Sequence, residues 1–142
     1  MQLNLTKNQY RRLLDLVYIG NWIINSRRED SDHIKDFDDI ESLLFSKCAE
    51  VGMPSLAVKS ADGSITPSQA FVDGGIHEVI GVYEDEVFFE ILAQELSLRD
   101  VGEEEVTSEN YNEVCEKMEQ YLEEFTDNGC DHVYISGMSD EP

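Results

Sequence analysis

Apolar positions along the chain recur mostly at the three- and four-residue spacing of a helix, and most densely from Thr6 to Ser26. There Tyr10, Leu13, Leu14, Val17, Tyr18, Trp22 and Ile23 form a stripe, which Leu16, Ile19 and Ile24 widen until little polar surface remains. A helix of this kind needs cover on several sides, so it is expected at the centre of the fold. Thr6 and Gln9 are spaced as a capping box, and Leu5 and Tyr10 as a hydrophobic staple. Arg27 and Arg28 suit the negative end of the helix dipole. Gly20 costs about 1 kcal/mol relative to Ala in a helix interior, which predicts the close approach of another backbone.

The same spacing predicts four more helices. The second runs from about Phe37 to Glu50, with Phe37, Ile40, Leu44, Cys48 and Val51 on one face, Asp36 as N-cap, and Gly52 and Pro54 as its stop. The third opens on Thr66-Pro67-Ser68-Gln69, with Pro at the first helical position, and continues through Phe71, Val72, Ile76, Val79, Ile80 and Tyr83. Gly74-Gly75 marks where it breaks. The fourth covers Asp85 to Asp100, with Val87, Phe88, Ile91, Leu92 and Leu96 inward and Gly102 after its end. The fifth starts at Thr107, with Val106 and Tyr111 as a staple, carries the stripe Tyr111, Val114, Cys115, Met118, Leu122 and Phe125, and closes at Asn128-Gly129.

Two stretches have another period. In residues 55–66, Asp62-Gly63 lies between short apolar runs and reads as the turn of a small hairpin or as an irregular loop. His132 to Ser136 alternates as a short strand, able to pair with Leu3 to Leu5. Residues 136–142 read as a frayed tail. The fold class expected is mainly α: a single domain over residues 1–142, built as a bundle of about five helices around a central N-terminal helix, with room for a short hairpin or a small terminal sheet.

Charge sharpens this picture. The chain holds 31 Asp and Glu against 10 Lys and Arg, a net charge of −21. Residues 1–28 carry five basic residues and one acid, so the acidity belongs to the rest of the chain. Such a field repels phosphate backbones and anionic headgroups, which argues against direct nucleic-acid or membrane binding and for basic partners or cations. The same acidity also serves solubility or adaptation to high salt. The uncharged part of the first helix, Leu16 to Ser26, is far shorter than the roughly 20 residues of a membrane span. Three cysteines, with no CxxC and no signal-peptide pattern at the N-terminus, fit a reducing cytoplasm.

Candidate chemistry is sparse. Counting Asp30 as the first position of a calcium loop places acids at Asp30, Asp32, Asp36, Asp38 and Glu41, but Ile34 stands where an oxygen ligand belongs and Lys35 where Gly makes the turn. His33, His77 and His132 are far apart, and Cys130-x-His132 is one close pair, not a tetrahedral set. No nucleophile motif, P-loop or dinucleotide fingerprint is present, so no catalytic residue and no cofactor is assigned. The acids of the last two helices, Glu86, Glu90, Glu109, Glu113, Glu116 and Glu123 among them, would form a broad negative face if those helices pack side by side.

The segment Tyr83-Glu84-Asp85-Glu86-Val87-Phe88-Phe89-Glu90, continuing to Leu96, Arg99 and Asp100, together with LTKNQYRRLLDLVYIGNW, resembles a group of small acidic bacterial proteins of unknown function. The resemblance implies a bacterial, cytoplasmic origin and brings no activity and no site residues. The leading functional expectation is a non-enzymatic acidic interaction protein that binds a basic protein surface. The alternative is a cation-binding protein or cation-dependent enzyme using the acids of 30–41. A homodimer is compatible with either.

Overall fold

The computed structural model describes residues 3–135. Helix α1, Lys7–Asn25, begins as the sequence dictates: the Thr6 hydroxyl accepts from the Gln9 N–H at 3.3 Å, and the Gln9 side chain accepts from the Thr6 N–H at 2.9 Å. At the other end the Arg28 Nε donates to the Ile24 carbonyl at 2.9 Å. Helix α2, Lys35–Phe45, starts and stops earlier than expected. Its N-cap is Ile34, not Asp36, and Cys48 sits in the turns after its end.

The hairpin forms. Strands β1, Ala57–Lys59, and β2, Ile65–Pro67, pair antiparallel with Val58 opposite Thr66. Asp62 Oδ1 accepts from the Ser64 N–H at 3.0 Å, and Gly63 takes φ +94°, a conformation that favours glycine. The pair is held to α2 by the Ile65 N–H donating to Ser42 Oγ at 3.0 Å. Pro67 therefore ends a strand and does not open a helix. The cap of the next turn, α3 (Gln69–Phe71), is Ser68, whose hydroxyl accepts from the Phe71 N–H at 3.2 Å.

After α3 the backbone swells into a wide turn over Val72–Ile76, with Gly75 at φ +93°. This is the break that Gly74-Gly75 predicts. Beyond it the chain forms one helix, α4, His77–Val101, so the boundary expected near Tyr83 does not exist. No proline interrupts that segment, and the helix carries Gly81 and Asp85 without breaking. Gly102, at φ +80°, ends it by returning its N–H to the Leu98 carbonyl at 2.9 Å. Helix α5, Tyr111–Asn128, begins later than Thr107 because that hydroxyl accepts from the Asn110 N–H and organises a turn ahead of the helix.

The chain divides into two compact units, one ending at Ile80 and the other beginning at Gly81. In the first, Tyr10 and Leu14 of α1 join Phe45, Cys48, Phe71, Ile76 and Ile80 in one buried cluster. Phe45 and Phe71 meet edge to face at 4.9 Å, and Tyr18 meets Phe71 at 5.2 Å. Helix α1 buries one face only: Leu16 is 69% exposed and Ile23 57%, and nothing lies within 4 Å of where a Gly20 Cβ would stand. Within this unit, therefore, the expected enclosure of α1 on several sides and the close backbone approach at Gly20 are not found.

The second unit comprises the rest of α4 with α5. Ala93, Ser97 and Leu98 of α4 and Val114 and Phe125 of α5 are buried, and Phe89 lies 5.2 Å from Phe125. Phe88 and Ile91, expected inward, are 52% and 57% exposed. The helix turns its small residues, Ala93 and Ser97, to the interior instead. His132 to Ile135 form no strand, nor do Leu3 to Leu5, so the expected terminal sheet is absent from the described residues; Ser136 and the tail to 142 lie outside them. No described helix is long and apolar enough to cross a membrane.

Candidate functional site

Polar side chains gather most closely between α1 and α2. Asn21 and Asn25 are one turn apart on α1, and the Asn25 Nδ2 donates to Asn21 Oδ1 at 2.8 Å. Asn21 Nδ2 in turn donates to Asp38 Oδ1 at 3.0 Å, while the other Asp38 oxygen meets His33 Nε2 at 2.6 Å. Both oxygens of Asp38 are thereby oriented. With Tyr18, Trp22 and Glu41 these residues border a shallow cleft of about 230 Å³.

The aromatic wall is fixed by His77, at the start of α4 within the first unit. Its Nε2 lies 2.8 Å from the Tyr18 hydroxyl, and its ring stands edge to face with Tyr18 at 5.7 Å and Trp22 at 6.4 Å. Burial pushes the Glu41 carboxyl above the ordinary carboxylate range; the Asn21 amide opposes this and the Asp38 charge adds to it. Burial, and then the nearby Glu41 charge, raise the Tyr18 hydroxyl. No Lys or Arg pairs with Asp38 or Glu41 among the described residues. A larger, open depression of about 810 Å³ runs along α1, with Leu5, Leu13 and Leu16 on its apolar side and Asn8, Gln9, Arg11 and Arg12 on its polar side.

Of the five acids in the calcium-loop register, the structure brings only Asp38 and Glu41 to one place, three residues apart on α2. Asp30 and Asp32 are exposed in a turn, and Asp36 is exposed in the first turn of α2. The helix begins at Lys35, so more than half of the twelve-residue register is helical and cannot wrap an ion. Among the described residues no group of three or more His, Cys, Asp or Glu is placed to hold a metal. His132 Nδ1 lies 2.6 Å from Glu124 Oε1 and Cys130 is exposed.

On the second unit, Glu86, Glu90, Glu109, Glu113, Glu116 and Glu123 are all exposed. Among them stand Val82, Tyr83, Phe88, Ile91 and Tyr111, also exposed. Helix α4 is tied to α5 at its end: the Tyr121 hydroxyl donates to Asp100 Oδ2 at 2.6 Å, and Arg99 Nη2 donates to Asp100 Oδ1 at 2.7 Å and to the Tyr121 oxygen at 3.2 Å.

The sequence pattern points to Asp38 and Glu41 but not to their companions Tyr18, Asn21, Trp22 and His33. One signal for these exists: Asn21 and Asn25 interrupt the most apolar helix of the chain at a spacing of four. Compared with known proteins, the chain matches no protein-family model, no curated protein and no solved structure.

Proposed function

We propose that the protein is a non-enzymatic interaction domain whose acidic second unit docks a basic, partly apolar protein surface. The observation that carries this reading is the coexistence, on α4 and α5, of exposed carboxylates with exposed Phe88, Ile91, Tyr83 and Tyr111. Acids alone would serve solubility, whereas large apolar groups left in water among them mark surfaces that are covered by a partner. The negative field steers a basic partner to this face, and the aromatic and aliphatic groups supply burial on contact. A bacterial cytoplasm, where free thiols persist, is the setting proposed. The same field argues against nucleic acid as the ligand.

The test uses a basic amphipathic peptide, rich in Arg and Leu at helical spacing, titrated calorimetrically into the full chain. Binding is expected to weaken strongly between roughly 50 mM and 500 mM salt, as screening shortens the reach of the field. It is also expected to weaken in Phe88→Ser/Ile91→Ser, with helicity retained. Affinity indifferent to both salt and the double substitution would overturn the reading.

A further inference from the structure

We infer that the cleft between α1 and α2 is a receptor for an organic cation, an arginine guanidinium, held by Asp38 and Glu41 against the rings of Trp22 and Tyr18. This site lies in the first unit and does not depend on the reading of the second.

Four features converge on that chemistry. Asp38 and Glu41, three residues apart on α2, both border the cleft, so their carboxylates share one face of the helix. Asp38 is already aimed, because Asn21 and His33 each hold one of its oxygens, at 3.0 and 2.6 Å, and each oxygen keeps a further lone-pair site. Glu41 is half-buried, and no Lys or Arg among the described residues answers either charge. Tyr18 and Trp22 line the remaining wall, their rings set by His77.

The alternatives fail on the same residues. An anion meets two carboxylates. A purely apolar ligand would strip them of water without replacing it. For a divalent ion, His33 is turned to Asp38 at 2.6 Å, and among the described residues no three His, Cys, Asp or Glu are placed to hold a metal together. A guanidinium satisfies every wall at once, since its planar fork matches carboxylates and its face stacks on aromatic rings. A cleft of about 230 Å³, open on one side, suits the head of a side chain whose backbone stays outside.

Trp22 is the only tryptophan of the chain, so its fluorescence reports on this cleft alone. The full chain is titrated at constant ionic strength with N-acetyl-arginine methylamide, its uncharged isostere N-acetyl-citrulline methylamide, and the lysine analogue. The expected result is a saturable change in emission with the arginine compound and a much weaker one with the other two. Glu41→Gln, which keeps the shape of the cleft, should weaken arginine binding roughly 5- to 10-fold, the effect of losing one charge-assisted hydrogen bond at a half-exposed site. The Asn21 side-chain amide resonances give a second readout independent of emission. Equal binding of citrulline, an unchanged affinity in Glu41→Gln, or no saturable response in either readout would overturn the site. Equal binding of the lysine analogue would overturn its assignment to a guanidinium.

Discussion

The side chain of Asn25 does for Ile34 what a neighbouring strand would do: its Oδ1 accepts from the Ile34 N–H at 3.0 Å and its Nδ2 donates to the Ile34 carbonyl at 3.1 Å. Asn25 is buried, so water does not compete for these groups. The pair sets where the chain leaving α1 turns into α2, and so where Asp38 and Glu41 stand relative to α1. Asn25→Leu removes both bonds while keeping the bulk. It should cost about 1–3 kcal/mol, the usual penalty of stranding buried backbone groups, read as a lower urea midpoint. Asn25→Asp keeps the acceptor and loses the donor, and its midpoint should fall between those of the parent chain and Asn25→Leu.

Glu41 is held above its ordinary range by burial, so the folded state binds its proton more tightly than the unfolded chain does. Stability from this group is therefore fully present below the unfolded value and is lost as pH rises through the raised one. Glu41→Gln should raise Tm at neutral pH, and the gain should shrink as the pH is lowered into the acid range. Thermal melts of both proteins across that range check the sign; a lower Tm for the variant at neutral pH would contradict it.

Gly20 and Gly75 should respond oppositely to the same substitution. Gly20 lies inside α1 with nothing within 4 Å of a built Cβ, so Gly20→Ala should stabilise by about 0.5–1 kcal/mol. Gly75 sits at φ +93°, where an L side chain is strained, so Gly75→Ala should destabilise by about 1 kcal/mol or more. Chemical denaturation of the two single variants separates these outcomes.

Tyr121 and then Arg99 hold the Asp100 carboxyl below the usual carboxylate range by hydrogen bonding. Removing the phenol oxygen in Tyr121→Phe should move that carboxyl back up toward its ordinary value. Carboxylate carbon shifts measured by NMR titration read this directly. An Asp100 titration unmoved by the substitution would mean that Arg99 suffices.

Much of this architecture is encoded locally. The capping box at Thr6, the glycine turn at Asp62-Gly63, the break at Gly74-Gly75 and the stop at Gly102 arise from short-range backbone chemistry, which a sequence states outright. Helical period likewise places α1 and α5 nearly correctly. The division expected between helices three and four is absent because Tyr83-Glu84-Asp85 resembles a boundary only by polarity, and α4 accepts those exposed residues without breaking.

The sequence by itself determined that this is a mainly helical chain with a basic first helix and an acidic remainder, since period and charge are properties of the residues taken in order. Only the tertiary structure decided which apolar face is buried. Leu14 and Leu16 are indistinguishable by composition, yet Leu14 is enclosed and Leu16 stands in solvent, because burial depends on what packs opposite. The same holds for the cleft: Asn21, His33, Asp38 and Glu41 become one site only when α2 folds back along α1.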